Sequence, residues 1–173
     1  MHILIGLTGK ARAGKDTLAA ALTHHGFVKA AFADPLKHVT AFIANEPIEL
    51  FFEDQTKEEY CEALGMTRRL ALQRMGTEGV RNALGNDVWV NRLLRQWKLN
   101  GCHDTVVSDV RFDNEADAII AAGGFVLRVV RPDNAQLSGE SATHVSEAGV
   151  SEDRVLGEVL NGGTIEDLAQ EAK

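Results

Sequence analysis

The stretch GLTGKARAGKDT, from Gly6 to Thr17, limits the fold of this chain more than any other. The short apolar run His2 to Leu7 leads into it and suits a buried parallel strand. Behind it Leu18, Ala21 and Leu22 recur at helical spacing, and Gly26 provides a stop. Between strand and helix, Gly9 to Lys15 spells Gly-x4-Gly-Lys. Such a loop turns backbone N–H groups onto an anion, and the helix N-terminus behind it favours negative charge. Lys15 is then within reach of the β- and γ-phosphates of a nucleotide.

Asp16 stands where such loops usually carry the hydroxyl that binds Mg²⁺, and Thr17 lies one residue late. Three readings stay open. Asp16 holds the ion through water, Thr17 serves the α-phosphate side, or Asp16 is simply an acid that suits a first helical turn.

Downstream, strand and helix patterns alternate. Phe27 to Phe32 reads as a second strand, and Asp34-Pro35 starts a helix with Leu36, Val39, Phe42 and Ile43 as its apolar face. Asn86 or Asp87 caps a helix with Val90, Leu93, Leu94 and Trp97 inward. Thr105 to Ser108 is a strand ending at Asp109, followed by a helix with Ala116, Ile119 and Ile120 inward. Phe125 to Val130 is a strand ending at Arg131. Val155 to Leu160 is a last strand, and Thr164 caps a final helix carrying Ile165 and Leu168. This alternation predicts an α/β fold with a parallel sheet, whose ligands bind beyond the carboxyl ends of the strands. The glycine loop, Asp109 and Arg131 should converge there, with Asp109 organising Mg²⁺ or a substrate hydroxyl.

Between Asn45 and about Gly85 the first part is acidic and the second basic. Thr56 with Glu59 suggests a capping box, so this segment reads as a helical insertion on the core. Arg74 and Arg81 fall on about one helical face, which suits a phosphomonoester, because the guanidinium fork matches phosphate bidentately. Lys37 sits at the mouth of the same cleft, and Arg111 and Glu115 follow Asp109 within a turn. The polar stretch Asp133 to Gly149 has no apolar periodicity and reads as a mobile loop. Its His144 suits loop ordering or substrate contact better than general-base work, since a phosphate acceptor is already anionic near neutral pH.

Composition excludes several classes. At 173 residues the chain makes one domain, and its net charge of −7 argues against general affinity for nucleic acid or an anionic membrane. No apolar stretch approaches the roughly 20 residues of a membrane helix. Cys61 and Cys102 have no metal-ligand spacing and read as reduced thiols of a cytoplasmic protein.

Taken together, GKARAGKDT, DPLK, RMGTEGVRNALGNDVWVN, SDVRFDNEADAI, GGFVLRVVRP, HVSEAG and NGGTIEDL resemble the bacteriophage-type deoxynucleoside monophosphate kinases along nearly the whole chain. The resemblance implies an adenylate-kinase-like P-loop kinase: a three-layer α/β domain over 1–173, a helical monophosphate-binding insertion at 34–85 and a short lid at 132–149. It implies phosphoryl transfer from ATP to a deoxynucleoside monophosphate, with Mg²⁺. Arg12, Ala13, Gly14, Lys15, Asp16 and Thr17 would hold ATP, with Asp16 and Thr17 also on the metal side. Lys10, Lys37, Arg74, Arg81, Asp109, Arg111 and Glu115 would bind or orient the monophosphate. Lys15, Arg131 and Lys10 would neutralise charge on the transferring group. Gly-Lys-Asp-Thr is also the family's form, whereas Asp113 stands where related sequences often have proline.

Other readings are a P-loop kinase for dephospho-coenzyme A or a nucleoside, and a non-catalytic nucleotide-binding switch. The switch would leave the arginine-bearing insertion unexplained, and the chain has no GTPase-type base-specificity motif. Trp89, Trp97 and the many helix faces leave room for a homodimer.

Overall fold

The opening strand β1 (Leu4–Thr8) is buried at every position, as a strand covered on both faces must be. The computed structural model describes residues 2–132 and 143–162. The phosphate-loop helix is α1 (Lys15–Thr23), followed by β2 (Val28–Ala30) and α2 (Asp34–Ala44). The insertion holds α3 (Asp54–Lys57), a small antiparallel pair β3 (Tyr60–Cys61) and β4 (Met66–Thr67), α4 (Arg68–Arg74), a π-helical turn over Met75–Arg81 and α5 (Asn82–Leu84). The chain returns through α6 (Val88–Leu99), β5 (Thr105–Val107), α7 (Asp113–Ala121), β6 (Phe125–Val130) and β7 (Gly157–Leu160).

Five strands form a parallel sheet in the order β2-β5-β1-β6-β7. Alternation along each strand divides the core in two. Leu4, Val107 and Val126 join Val90, Leu93, Ala116 and Ile119 under α6 and α7 on one face. Ile5, Leu7, Val106 and Val129 join Leu18, Ala19 and Leu22 of α1 on the other. The product is the expected three-layer α/β architecture. Burying side chains such as Leu18 or Ile119 contributes about 1.5–3 kcal/mol each.

Several local expectations are corrected. In α2 the buried residues are Leu36, Thr40, Ala41 and Ala44, while Val39, Phe42 and Ile43 are exposed. This helix packs with Phe51 and Cys61 in the insertion's own small core, and its small residues allow that close approach. Ile120 is exposed as well. Asp34 is the first residue of α2 rather than its cap, and it pairs with Lys37 at 2.9 Å. Thr56 lies inside α3, where its hydroxyl donates to the Leu50 and Glu53 carbonyls, so it forms no capping box with Glu59. The acidic and basic halves of the insertion are instead bound to each other. Buried Arg68 grips Glu46 through two nitrogens at 2.7 and 2.9 Å, and Arg69 meets Glu58 at 2.6 Å. Of the expected loop, residues 143–149 are described and carry a 3-10 turn at Val145–Glu147. Its first part and the helix begun by Thr164 lie outside the described residues.

Candidate functional site

The glycine loop closes because its glycines take backbone angles that side chains resist. Gly9 has φ +135°, and a Cβ there would lie 2.4 Å from the Val129 carbonyl oxygen of β6. Gly14, at φ 100°, caps α1. Arg12 holds φ 63° without being glycine, a conformation that costs about 1–3 kcal/mol and clusters at functional sites. The Asn161 amide, just past β7, donates to the Ala13 carbonyl at 2.9 Å and steadies the loop from behind.

Lys15 folds back on this loop. Its ammonium donates to the Gly9 and Lys10 carbonyls at 2.8 Å each. Burial, with Arg111 adding to it, lowers its pKa to about 8. Asp16 faces Lys29 of β2 at 2.6 Å and accepts from the Ser108 hydroxyl at 3.0 Å. Desolvation within the cleft pushes its carboxyl up, but Lys29 and Ser108 outweigh that and hold it below its ordinary value.

The loop forms one wall of a cleft of about 170 Å³. The opposite wall is the insertion, and the floor is the end of β5 with the start of α7. Seven basic side chains line it (Arg12, Lys15, Lys37, Lys57, Arg69, Arg81 and Arg111) against five acidic ones. A local excess of two positive charges in a chain of net −7 marks a site for anions.

Apart from Lys15, each cation of the lining is paired with a carboxylate. Arg81 is buried against Glu115 and stacks 4.2 Å over the Phe112 ring. Glu115 also accepts from the N–H groups of Arg111 and Phe112, at 2.7 and 3.1 Å. Burial and neighbouring Asp109 push its carboxyl up to about 7 against those donors. Arg111 donates to Glu147 and, at 3.1 Å, to the Ser146 carbonyl. Gln73 reaches the same Glu147 oxygen at 3.2 Å. Lys37 lies 4.2 Å over the Phe52 ring. Glu58 takes both Arg69 and, at 3.3 Å, Arg12, joining the insertion to the glycine loop.

Of the residues expected at the site, Arg12, Lys15, Asp16, Lys37, Arg81, Asp109, Arg111 and Glu115 line the cleft together. Arg74 does not. It is exposed, whereas Arg81 is buried. Seven residues return to one face of an α-helix at about 3.6 per turn, but the intervening i→i+5 turn over Met75–Arg81 puts the two arginines out of phase. Lys10 and Arg131 are exposed and lie outside the lining, and half-buried Thr17 lies outside it too. Ala13 is buried beneath the loop. Asp109 gives its two oxygens to the N–H groups of Phe32 and Ala33, 2.8 Å each, bracing the turn into α2. Burial raises its pKa against that bonding. His144 accepts from the Ser146 N–H through Nδ1, which leaves Nε2 to face Glu78 at 3.2 Å, an ordering role for its turn. Lys57, Arg69, Gln73 and Glu147 were not expected here. Only the basic second half of the insertion hinted at Arg69.

Sheet order, glycine loop and cationic cleft together define a P-loop kinase. The chain matches the family described as deoxynucleotide monophosphate kinase over residues 45–172, and it belongs to that family. It is 33% identical to a putative deoxynucleotide monophosphate kinase of Acanthamoeba polyphaga mimivirus, covering 96% of this chain and 92% of that protein. It is 36% identical to the deoxynucleotide monophosphate kinase of Enterobacteria phage T4, over 61% of this chain and 43% of that protein. In fold it is similar to dephospho-CoA kinase from Campylobacter jejuni, with TM-score 0.50 and 15% identity, over 98% and 93% of the two chains. This protein is a kinase of nucleoside monophosphates. No helix among the described residues is long and apolar enough to cross a membrane.

Proposed function

We propose that the chain transfers the γ-phosphoryl group of ATP to a deoxynucleoside monophosphate, giving the diphosphate and ADP, with Mg²⁺. The observation that carries this reading is that one cleft joins the Lys15 loop to Lys37, Arg69 and Arg81 on the far wall and Arg111 on the floor. Two anionic nucleotides meeting between those walls would be brought in line, and the developing charge would be neutralised on both sides.

In this mechanism Lys15 leaves the Gly9 and Lys10 carbonyls for the phosphates of ATP. Arg111 and Lys37 exchange their carboxylate partners for the acceptor phosphate. Arg81, fixed by Glu115 and Phe112, orients that phosphate. The segment 34–85 thus serves as the monophosphate-binding insertion, and 132–149 as a lid whose closure excludes water. Lys10 and Arg131, exposed and outside the cleft lining, reach phosphate only as loop and lid close. Among the described residues no group of three or more His, Cys, Asp or Glu side chains could hold a metal unaided. The hard oxygens of Asp16 fit an ion carried in on nucleotide phosphates. Held beside Asp16, such an ion would supply positive charge to offset that of the transferring phosphate.

A coupled assay of ADP release tests the reading, with ATP, Mg²⁺ and each deoxynucleoside monophosphate in turn. At least one should be turned over, and Lys37→Ala and Arg111→Ala should raise KM for the monophosphate far more than for ATP. Turnover of dephospho-coenzyme A or a nucleoside instead would overturn it.

A further inference from the structure

Asp16 leaves the glycine loop without a hydroxyl directly after its lysine, yet a hydroxyl from a neighbouring strand meets Asp16 in the cleft. Ser108 follows directly on β5, the strand beside β1, so the register Gly6↔Val107 sets it level with the start of the loop. Its residue is buried, and its Oγ points at the Asp16 carboxylate, donating at 3.0 Å. Both Asp16 and Ser108 line the cleft, so a carboxylate and a hydroxyl face it side by side. Asp109, the other acid at this strand end, is turned away onto the Phe32 and Ala33 N–H groups.

The third member of the group is Lys29. It comes from β2, beyond β5, and its ammonium lies 2.6 Å from the same Asp16 oxygen that Ser108 touches. Lys29 does not line the cleft, so it neutralises Asp16 from the outer side. A carboxylate and a hydroxyl are ligands for a hard divalent cation, and an ammonium is a cation that such an ion replaces.

We propose that Ser108 supplies the metal-facing hydroxyl that the glycine loop lacks, paired with Asp16, and that Lys29 occupies Asp16 until a nucleotide-bound divalent cation displaces it. The inference rests on the reading of this cleft as an ATP site. It gives a role to Ser108 and Lys29, neither of which the sequence reading placed among the site residues. It also makes metal binding depend on nucleotide, because the free ion must compete with a tethered ammonium.

Mn²⁺ is the probe. Electron paramagnetic resonance counts free Mn²⁺ in titrations of the full chain with a non-hydrolysable ATP analogue, so the readout does not depend on turnover. The wild type should bind one ion tightly with the analogue and weakly without it. Ser108→Ala should weaken binding about tenfold or more, Ser108→Thr should retain it, and Lys29→Met should tighten it in the absence of nucleotide. Unchanged affinity in Ser108→Ala, or equal losses in Ser108→Ala and Ser108→Thr, overturns the assignment while the ATP site stands. A wild type that binds neither analogue nor ion overturns both.

Discussion

Glu147 and Arg111, 36 residues apart in sequence, form an ion pair inside the cleft, with Gln73 donating to the same carboxylate oxygen at 3.2 Å. The carboxylate thus stands on a guanidinium that the proposed mechanism assigns to the acceptor phosphate. Substrate must displace it. Glu147→Gln removes the competing charge, and KM for the monophosphate should fall about fivefold, equivalent to about 1 kcal/mol for one charge-assisted hydrogen bond. KM for ATP should stay level. Steady-state kinetics checks this, and an unchanged KM for the monophosphate would mean that Arg111 does not meet that substrate.

The Arg81–Glu115 pair is buried on both sides, so its members are interdependent. Arg81→Ala strands a carboxylate in the interior and should cost roughly 3 kcal/mol of stability. Arg81→Ala with Glu115→Gln should recover part of the loss. Urea unfolding of the single and double variants measures both, and a single variant as stable as the wild type contradicts this account of the pair.

Lys15 sets a pH dependence. Its pKa of about 8 in the free protein lies below the ordinary 10.5, so the folded chain binds fewer protons than the unfolded chain between those values. This group therefore makes unfolding harder as pH rises through that window. For function the sign is opposite, because the neutral amine is no phosphate ligand. kcat/KM for ATP, which reports the free enzyme, should fall as pH rises through about 8. Bound phosphate restores the charge, so kcat should hold to higher pH. A flat kcat/KM profile to pH 9 would remove Lys15 from ATP binding.

Gly9 is predicted to tolerate no side chain. Gly9→Ala would bring a Cβ to 2.4 Å from a backbone oxygen of β6 at a φ that alanine avoids. Loss of ATP-analogue binding with a lower Tm is the expected outcome, read by thermal unfolding with and without the analogue. Gly76→Ala meets only the end of the Leu36 side chain, at 2.9 Å, and should be milder.

Much of the fold was legible because buried parallel strands announce themselves as short apolar runs, as Thr105–Val107 and Phe125–Val130 do. The glycine loop was legible because its geometry demands glycine at fixed positions. Arg74 was misplaced because a π turn carries no periodicity that distinguishes it from an α-helix. The exposed face of α2 misled because its close packing uses Thr40, Ala41 and Ala44, residues that a hydrophobic pattern undercounts. Gln73 and Glu147 join the cleft from 74 residues apart, and no local spacing encodes such a contact. Asp109 shows the converse. Its position at a strand end was right, but only the geometry reveals that its oxygens brace the Phe32–Ala33 backbone.

The central claim is that phosphate moves between two nucleotides in this cleft. The most direct measurement follows label from [γ-32P]ATP, with Mg²⁺, into each deoxynucleoside monophosphate by thin-layer separation of products. Labelled deoxynucleoside diphosphate should form with at least one acceptor and vanish in Lys15→Ala. Label released only as inorganic phosphate, or retained in ATP with every acceptor, would contradict the account.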